Sequence, residues 1–288
     1  MRVWPVLPVV GLLVSSLAAC DSAGRTYSTG ASDIYVAIGD SYTAAPRTGF
    51  PDGDDGCHRS EANYPHLVAK VTDADLHDVS CSGASTTQLT DPWKPGGVHL
   101  VAPQLDALND ETDLVTVGIG ANDYHLIGIV FITCPALAVR EPDADSPCTD
   151  AAEANPNASL KDLLSQMEDN VTDRLKDVTD LAPNADVLVI GYPSIIPAHG
   201  TCDELPLAPG DYPLARRIID GINTSVAAAA DRAGVRFIDT ATGSEGHDIC
   251  SDDPWIAGVH AEDGHAAPLH PYPEEQEFVS RQVLDAIG

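Results

Sequence analysis

The chain has 288 residues, 43% of them hydrophobic, with 23 Gly and 22 Pro. That length and balance suit one large domain with a sizeable core rather than two small ones. The formal net charge of -29 gives a surface that repels nucleic acid and anionic headgroups, which excludes nucleic-acid binding and reads most simply as a solvated face.

Residues 1–19 read as a signal peptide: Arg2 is the only early charge, and Val6 to Ala19 is an apolar run too short to span a membrane comfortably. The run ends in Leu17-Ala18-Ala19-Cys20, which resembles the bacterial lipobox. That resemblance implies lipidation of Cys20 and a cell-envelope protein facing outward, anchored to the membrane by its acyl chains. A plain secretory signal cut after an Ala, giving a secreted protein, is the rival. Residues 20–32 then form the lipidated cysteine and a flexible tether, and residues 33–288 the single folded domain.

Residues 33–38 read as a strand rich in Ile and Val. It breaks at Gly39-Asp40-Ser41. A serine where a buried strand ends is rigidly held and reachable, as nucleophilic catalysis requires. The same tripeptide is also ordinary turn chemistry. Glu61 to Asp73 reads as a helix and Leu76 to Val79 as a short strand. Ser80 to Ser85 is a small turn whose Gly83 lets a backbone N–H approach a ligand, or else is a plain loop.

Val101 to Leu108 reads as helical and Leu114 to Ile119 as a buried strand ending in Gly118-Ile119-Gly120-Ala121-Asn122-Asp123. Asn122 there is a candidate hydrogen-bond donor into a site, or part of a Gly-Asn turn. Ser159 to Leu181 is a long amphipathic helix, Ala185 to Ile190 a strand, Tyr212 to Ala233 a helix, Val235 to Asp239 a strand, and Glu274 to Ile287 a closing helix. Just ahead of that helix stands Pro268-Leu269-His270-Pro271, with a histidine able to take and return a proton. It is one of ten in the chain.

Short apolar strands alternating with helices imply an α/β fold, a three-layer αβα sandwich around a mostly parallel five-stranded sheet. Sites in such sheets form at the carboxyl ends of strands. The irregular stretches 45–60, 132–157 and 240–271 are expected to wall the pocket. Trp93 and Trp255 are either part of those walls or anchors of core and loop.

Of the seven cysteines, setting Cys20 aside leaves Cys57, Cys81, Cys134, Cys148, Cys202 and Cys250. An even set in an exported chain implies disulfides, with the pairing open from sequence alone. No Cys-x-x-Cys exists, which argues against zinc. An Asp/His cluster of His247, Asp248, Asp252, Asp253, His260 and Asp263 is a metal-site rival that an acidic chain produces by chance. No metal and no cofactor are expected.

The set Gly39-Asp40-Ser41, Gly83, Gly120-Ala121-Asn122-Asp123 and His270, in that order, resembles the SGNH hydrolase family, or GDSL-type esterases and lipases. The resemblance implies a flavodoxin-like fold and an esterase or lipase acting on a small-molecule or lipid acyl ester. Ser41 would be nucleophile and His270 general base and acid, with an oxyanion hole from Ser41, Gly83 and Asn122. The cysteines resemble an actinobacterial secreted subgroup with three disulfides, implying Cys57–Cys81, Cys134–Cys148 and Cys202–Cys250. A monomer is expected.

Two positions depart from the family. Tyr42 stands where Leu is usual, and Ala267 stands where a triad Asp is usual, three residues before His270. A main-chain carbonyl of this loop is expected to orient His270, with Asp253, Glu262 or Asp263 as rivals. His260 and His265 are weaker candidates for the base. An acyltransferase or carbohydrate deacetylase on the same fold, or a lipid-anchored binding protein without turnover, are the alternative functions.

Overall fold

In the computed structural model, residues 1, 33–97, 99–155, 159–261 and 265–288 are described. The expected signal peptide, Cys20 and the tether lie outside them. A five-stranded sheet has the order β2-β1-β3-β4-β5, with β1 Ile34–Gly39, β2 Asp75–Asp78, β3 Thr112–Gly118, β4 Asp186–Ile190 and β5 Arg236–Ile238. Every adjacent pair is parallel.

Alternation along β1 divides the core. Tyr35 and Ala37 face a layer made by α2 (Tyr64–Thr72) and the closing helix (Pro273–Ile287), through Tyr64, Val68, Phe278 and Val283. Val36 and Ile38 face the opposite layer, where the helices Leu160–Leu181 and Tyr212–Ala233 contribute Met167, Val171, Ile218 and Val226. Burial on both faces is why these strands read as continuous apolar runs. The αβα sandwich expected from the sequence is formed.

Helix starts follow capping chemistry. The Asn63 side chain accepts from the His66 N–H, so α2 begins at Tyr64 rather than Glu61. Ser159 caps the long helix by accepting from the Asp162 N–H. The expected helix over 101–108 is a correction. Only a short 3₁₀ turn, Gln104–Ala107, forms there, because Pro103 holds the preceding residue extended and Val101 pairs with Trp93 across an isolated bridge.

The three disulfides Cys57–Cys81, Cys134–Cys148 and Cys202–Cys250 are all present. Within the stretch read as irregular from residue 132, the residues up to Glu153 are largely helical. A continuous helical segment runs through Leu126–Gly128 (α3), a π-helical turn at Ile129–Thr133 and Cys134–Arg140 (α4), and Pro147–Glu153 (α5) follows.

Candidate active site

Gly39 and Gly118 are register partners at the ends of β1 and β3, so two of the sequence motifs leave the sheet side by side. Asp40 N–H donates to the Gly118 carbonyl at 2.9 Å. Ser41 then opens a one-turn helix, Ser41–Ala44 (α1), capped by Asp40, whose carboxylate accepts from the Tyr42 N–H at 2.9 Å. At the first helical position the Ser41 N–H has no intrahelical acceptor, and among the described residues it has no other partner. The Ser41 hydroxyl makes no hydrogen bond among the described residues either, which leaves it free to turn.

Asp40 is buried and accepts a 2.6 Å hydrogen bond from the Tyr192 hydroxyl. Burial outweighs that bond and pushes its carboxyl up to about 7. Tyr192 in turn accepts from the Ala121 N–H at 3.1 Å, so one phenol ties the Asp40 turn to the Asn122 loop. Gln104 holds the same turn from the other side. Its amide oxygen accepts from the Gly39 N–H at 2.8 Å and its Nε2 donates to the Gly39 carbonyl at 2.9 Å.

Gly83 has φ of 87°, a conformation that favours glycine. Its N–H has no partner among the described residues. Neighbouring groups fix the turn: the Ser82 N–H donates to the Cys57 carbonyl at 2.9 Å and the Ala84 N–H to the Cys81 carbonyl at 3.0 Å. Asn122 Nδ2 donates to the Ala84 carbonyl at 2.9 Å. One amide hydrogen is thereby spent on positioning, and the geometry of a planar NH₂ leaves the second for another acceptor. Asp123 is buried and accepts from the Thr86 N–H (2.8 Å) and hydroxyl (2.6 Å), which binds the Asn122 loop to the Gly83 loop. Burial raises its carboxyl above the ordinary range.

His270 sits on a loop held by the Ala267 N–H to the Pro46 carbonyl and the Ala257 N–H to the His270 carbonyl. Its Nδ1 lies 2.7 Å from the Pro268 carbonyl. A carbonyl only accepts, so this bond places the proton on Nδ1 and leaves Nε2 with its lone pair. Desolvation lowers the imidazole below its ordinary value, and the Pro268 bond opposes that. Of the rival carboxylates only Asp253 is described, and it turns to another histidine. Asp253 lies 3.4 Å from His247, while Glu262 and Asp263 lie outside the described residues.

Ser41, Gly83, Asn122 and His270 all line one cavity of about 420 Å³. Its walls come from Ile127, Phe131, Ile132 and Leu269. Of the stretches expected to wall it, 240–271 contributes Pro268 to His270 and 132–157 contributes only Ile132, while 45–60 contributes nothing. Most of the apolar wall is the helical segment directly after Asn122, which begins before residue 132, joined by 268–270. Trp255 stacks on His247 at 3.9 Å and packs near Phe278 at 5.2 Å; Trp93 is half-buried against the core. Neither lines the cavity itself, although the Trp93 ring packs beside Gly83.

The sequence reading missed Tyr192, Gln104 and His125. The first two act across long stretches of chain and carry no local signal. His125 also lines the cavity, in a left-handed conformation beside Tyr124 (φ 61° and 51°). Among the described residues no hydrogen bond orients its ring, which distinguishes it from His270. In the rival Asp/His cluster, His247 and Asp253 lie 3.4 Å apart while His260 turns away to Glu204 at 3.3 Å; Asp263 lies outside the described residues. Asp52, His66 and Asp78 do converge elsewhere, but the Arg59 guanidinium lies 3.5 Å from Asp52 and already supplies the cation.

A model of the GDSL-like Lipase/Acylhydrolase family matches residues 37–276. The chain belongs to that family. It is 38% identical over 273 residues to Lipase 2 of Streptomyces coelicolor, covering 88% of this chain and 85% of that protein. Two solved structures share its fold at 27% identity. One is phospholipase A1 from Streptomyces albidoflavus, with a TM-score of 0.68. The other is an extracellular lipase from Streptomyces rimosus, with a TM-score of 0.69. Each covers 90% of this chain and 100% of the other. This GDSL chain is therefore an enzyme of the lipase and esterase type.

Proposed function

We propose that the chain is an exported serine esterase that hydrolyses acyl esters with Ser41 as nucleophile and His270 as general base. Ser41 Oγ attacks the ester carbonyl while His270 Nε2 takes its proton. The imidazolium hands that proton to the leaving alcohol, and water repeats the cycle on the acyl-enzyme. The Pro268 carbonyl fixes the tautomer in place of a triad carboxylate. The oxyanion is held by the N–H groups of Ser41 and Gly83 and by the second hydrogen of Asn122 Nδ2.

The observation that carries this reading is the meeting of all four residues in one cavity, with His270 Nδ1 bonded to Pro268. The unpaired N–H groups of Ser41 and Gly83 support the oxyanion role. Export is supported by three disulfides, which persist in oxidising surroundings. Anchoring through Cys20 rests on the lipobox-like sequence.

The test is turnover of p-nitrophenyl esters of increasing chain length, with Ser41→Ala beside the parent. Hydrolysis that disappears in the variant supports the reading. Hydrolysis that persists in Ser41→Ala, or a folded parent without turnover on any ester, overturns it.

A further inference from the structure

The segment that walls the cavity also has an outer face. From Tyr124 to Val139 it contains no Asp, Glu, Lys or Arg, in a chain that carries 44 Asp+Glu. Among the described residues, Asp123–Arg140 is the one helix long and apolar enough, by length and composition, to cross a membrane. It is not a span. Leu126, Val130 and Cys134 are buried in the core, and the Cys134–Cys148 bond fastens it to α5.

The other side points outward. Ile132, Ala136 and Val139 are all exposed, Ile132 at 62% and Val139 at 79%. Their i, i+4, i+7 spacing puts them on one stripe. The stripe is continuous with the cavity: Phe131 and Ile132 belong to its wall, together with Ser41 and His270. An uncharged apolar stripe on a chain of net charge -29 fits a neutral or zwitterionic surface and not an anionic one.

We propose that this stripe docks the enzyme onto the surface of an aggregated neutral or zwitterionic lipid, so that an acyl chain passes Phe131 and Ile132 into the cavity. The proposal rests on the esterase reading and names the physical state of its substrate. Apolar area buried at the lipid boundary holds the protein there, and the absence of charge on the stripe removes the main cost of approach.

The full chain is used with Cys20→Ser in every arm, so that no acyl group on residue 20 contributes. Ala136→Glu and Val139→Glu place a carboxylate on the stripe at positions that do not line the cavity; Val139→Trp adds interfacial affinity without a charge. Two readouts are taken. The first is flotation with phosphatidylcholine vesicles in a Ser41→Ala background, which reports docking without turnover. The second is kcat/KM on monomeric p-nitrophenyl butyrate and on the vesicle lipid, with Ser41 intact.

The expected result is a fall in vesicle-bound protein on the order of tenfold for each Glu variant and a gain for Val139→Trp. Butyrate turnover should stay within about twofold, hydrolysis of vesicle lipid should fall with binding, and added phosphatidylserine should weaken flotation. Vesicle binding that is absent in the parent, or unchanged by all three substitutions, overturns the proposal. A parent dimer that the Glu variants convert to monomer in sedimentation assigns the stripe to a second copy and also overturns it. Failure to hydrolyse butyrate counts against the esterase reading alone, because flotation does not depend on turnover.

Discussion

The Tyr42 hydroxyl donates to the Leu269 carbonyl at 3.1 Å, joining the residue after Ser41 to the residue before His270. The Tyr42 ring also lies 5.9 Å from the His270 ring and 5.5 Å from that of Tyr192. Its own carbonyl accepts from Gln276 Nε2 at 3.0 Å. Leu269 has φ of 64°, a strained conformation for a leucine. Tyr42 therefore does what the usual leucine has no atom to do: it pins a strained loop bearing the proposed base.

Removing only that oxygen is informative. Tyr42→Phe keeps the ring contacts and loses one hydrogen bond, worth about 1 kcal/mol. We expect kcat to fall about five- to tenfold on a short soluble ester, with KM little changed and Tm slightly lower. A variant that loses stability while keeping full kcat would assign Tyr42 a purely structural role.

Asn122 makes a sharper case. Asn122→Ala removes both the Ala84 tether and the hydrogen left for the substrate. Loss of one oxyanion donor costs on the order of 10²–10³ in kcat, about 3–4 kcal/mol. Steady-state kinetics should show that fall in kcat with a much smaller change in KM. An effect confined to KM would mean that Asn122 contacts the ground state only.

The parallel sheet was legible because its strands are buried on both faces and so spell short apolar runs, as in Val36-Ala37-Ile38 and Leu188-Val189-Ile190. The motif residues were legible because strand ends break at glycines. Gln104 and Tyr192 were not, since they reach Gly39 and Asp40 from 65 and 152 residues away and nothing local marks them. The helical segment after Asn122 was obscured by Gly128, Pro135 and a π-helical turn, which disturb the 3.6-residue period. The helix expected at 101–108 shows the converse error, in which apolar spacing was followed and Pro103 was discounted.

The Cys57–Cys81 bond links the loop after α1 to the loop bearing Gly83. The Ser82 N–H bond to the Cys57 carbonyl repeats that link in the backbone. Cys57→Ala/Cys81→Ala should therefore lower kcat at temperatures where circular dichroism still reports a native fold. Graded reduction should give the same order of events. Simultaneous loss of activity and ellipticity would leave this bond a role in stability only.

His270 and His125 share the cavity, but only His270 has its Nδ1 held. His270→Ala should abolish turnover, while His125→Ala should retain most of it. Burial lowers the His270 imidazole, so its neutral, proton-accepting form survives to lower pH than an ordinary histidine, whose pKa is about 6.5. The acid limb of kcat/KM should accordingly lie below that value. Ala267→Asp would put a carboxylate where the family usually has one. A negative charge there favours the imidazolium, so the limb should move up in pH. A limb that stays put would show that the Pro268 carbonyl keeps sole hold of the ring.

Glu275 lies at the start of the closing helix, buried behind α1, where its carboxylate accepts from Gln276 Nε2 at 2.6 Å. Desolvation pushes it up to about 8, and Asp40 on the other side of Tyr42 up to about 7. Both folded values exceed the unfolded ones of roughly 4, so the folded state binds the extra protons. Stability from these two groups is then full below about pH 4, falls at about 1.4 kcal/mol per pH unit for each group between its unfolded and folded values, and is gone once pH has risen through 7 and 8. Glu275→Gln keeps the shape and removes one of the two ionisations. Denaturant midpoints measured from pH 5 to pH 9 should fall less steeply in the variant, with its largest advantage over the parent at the alkaline end. Parallel curves for parent and variant would mean that Glu275 ionises in the folded protein no differently from a solvated carboxylate.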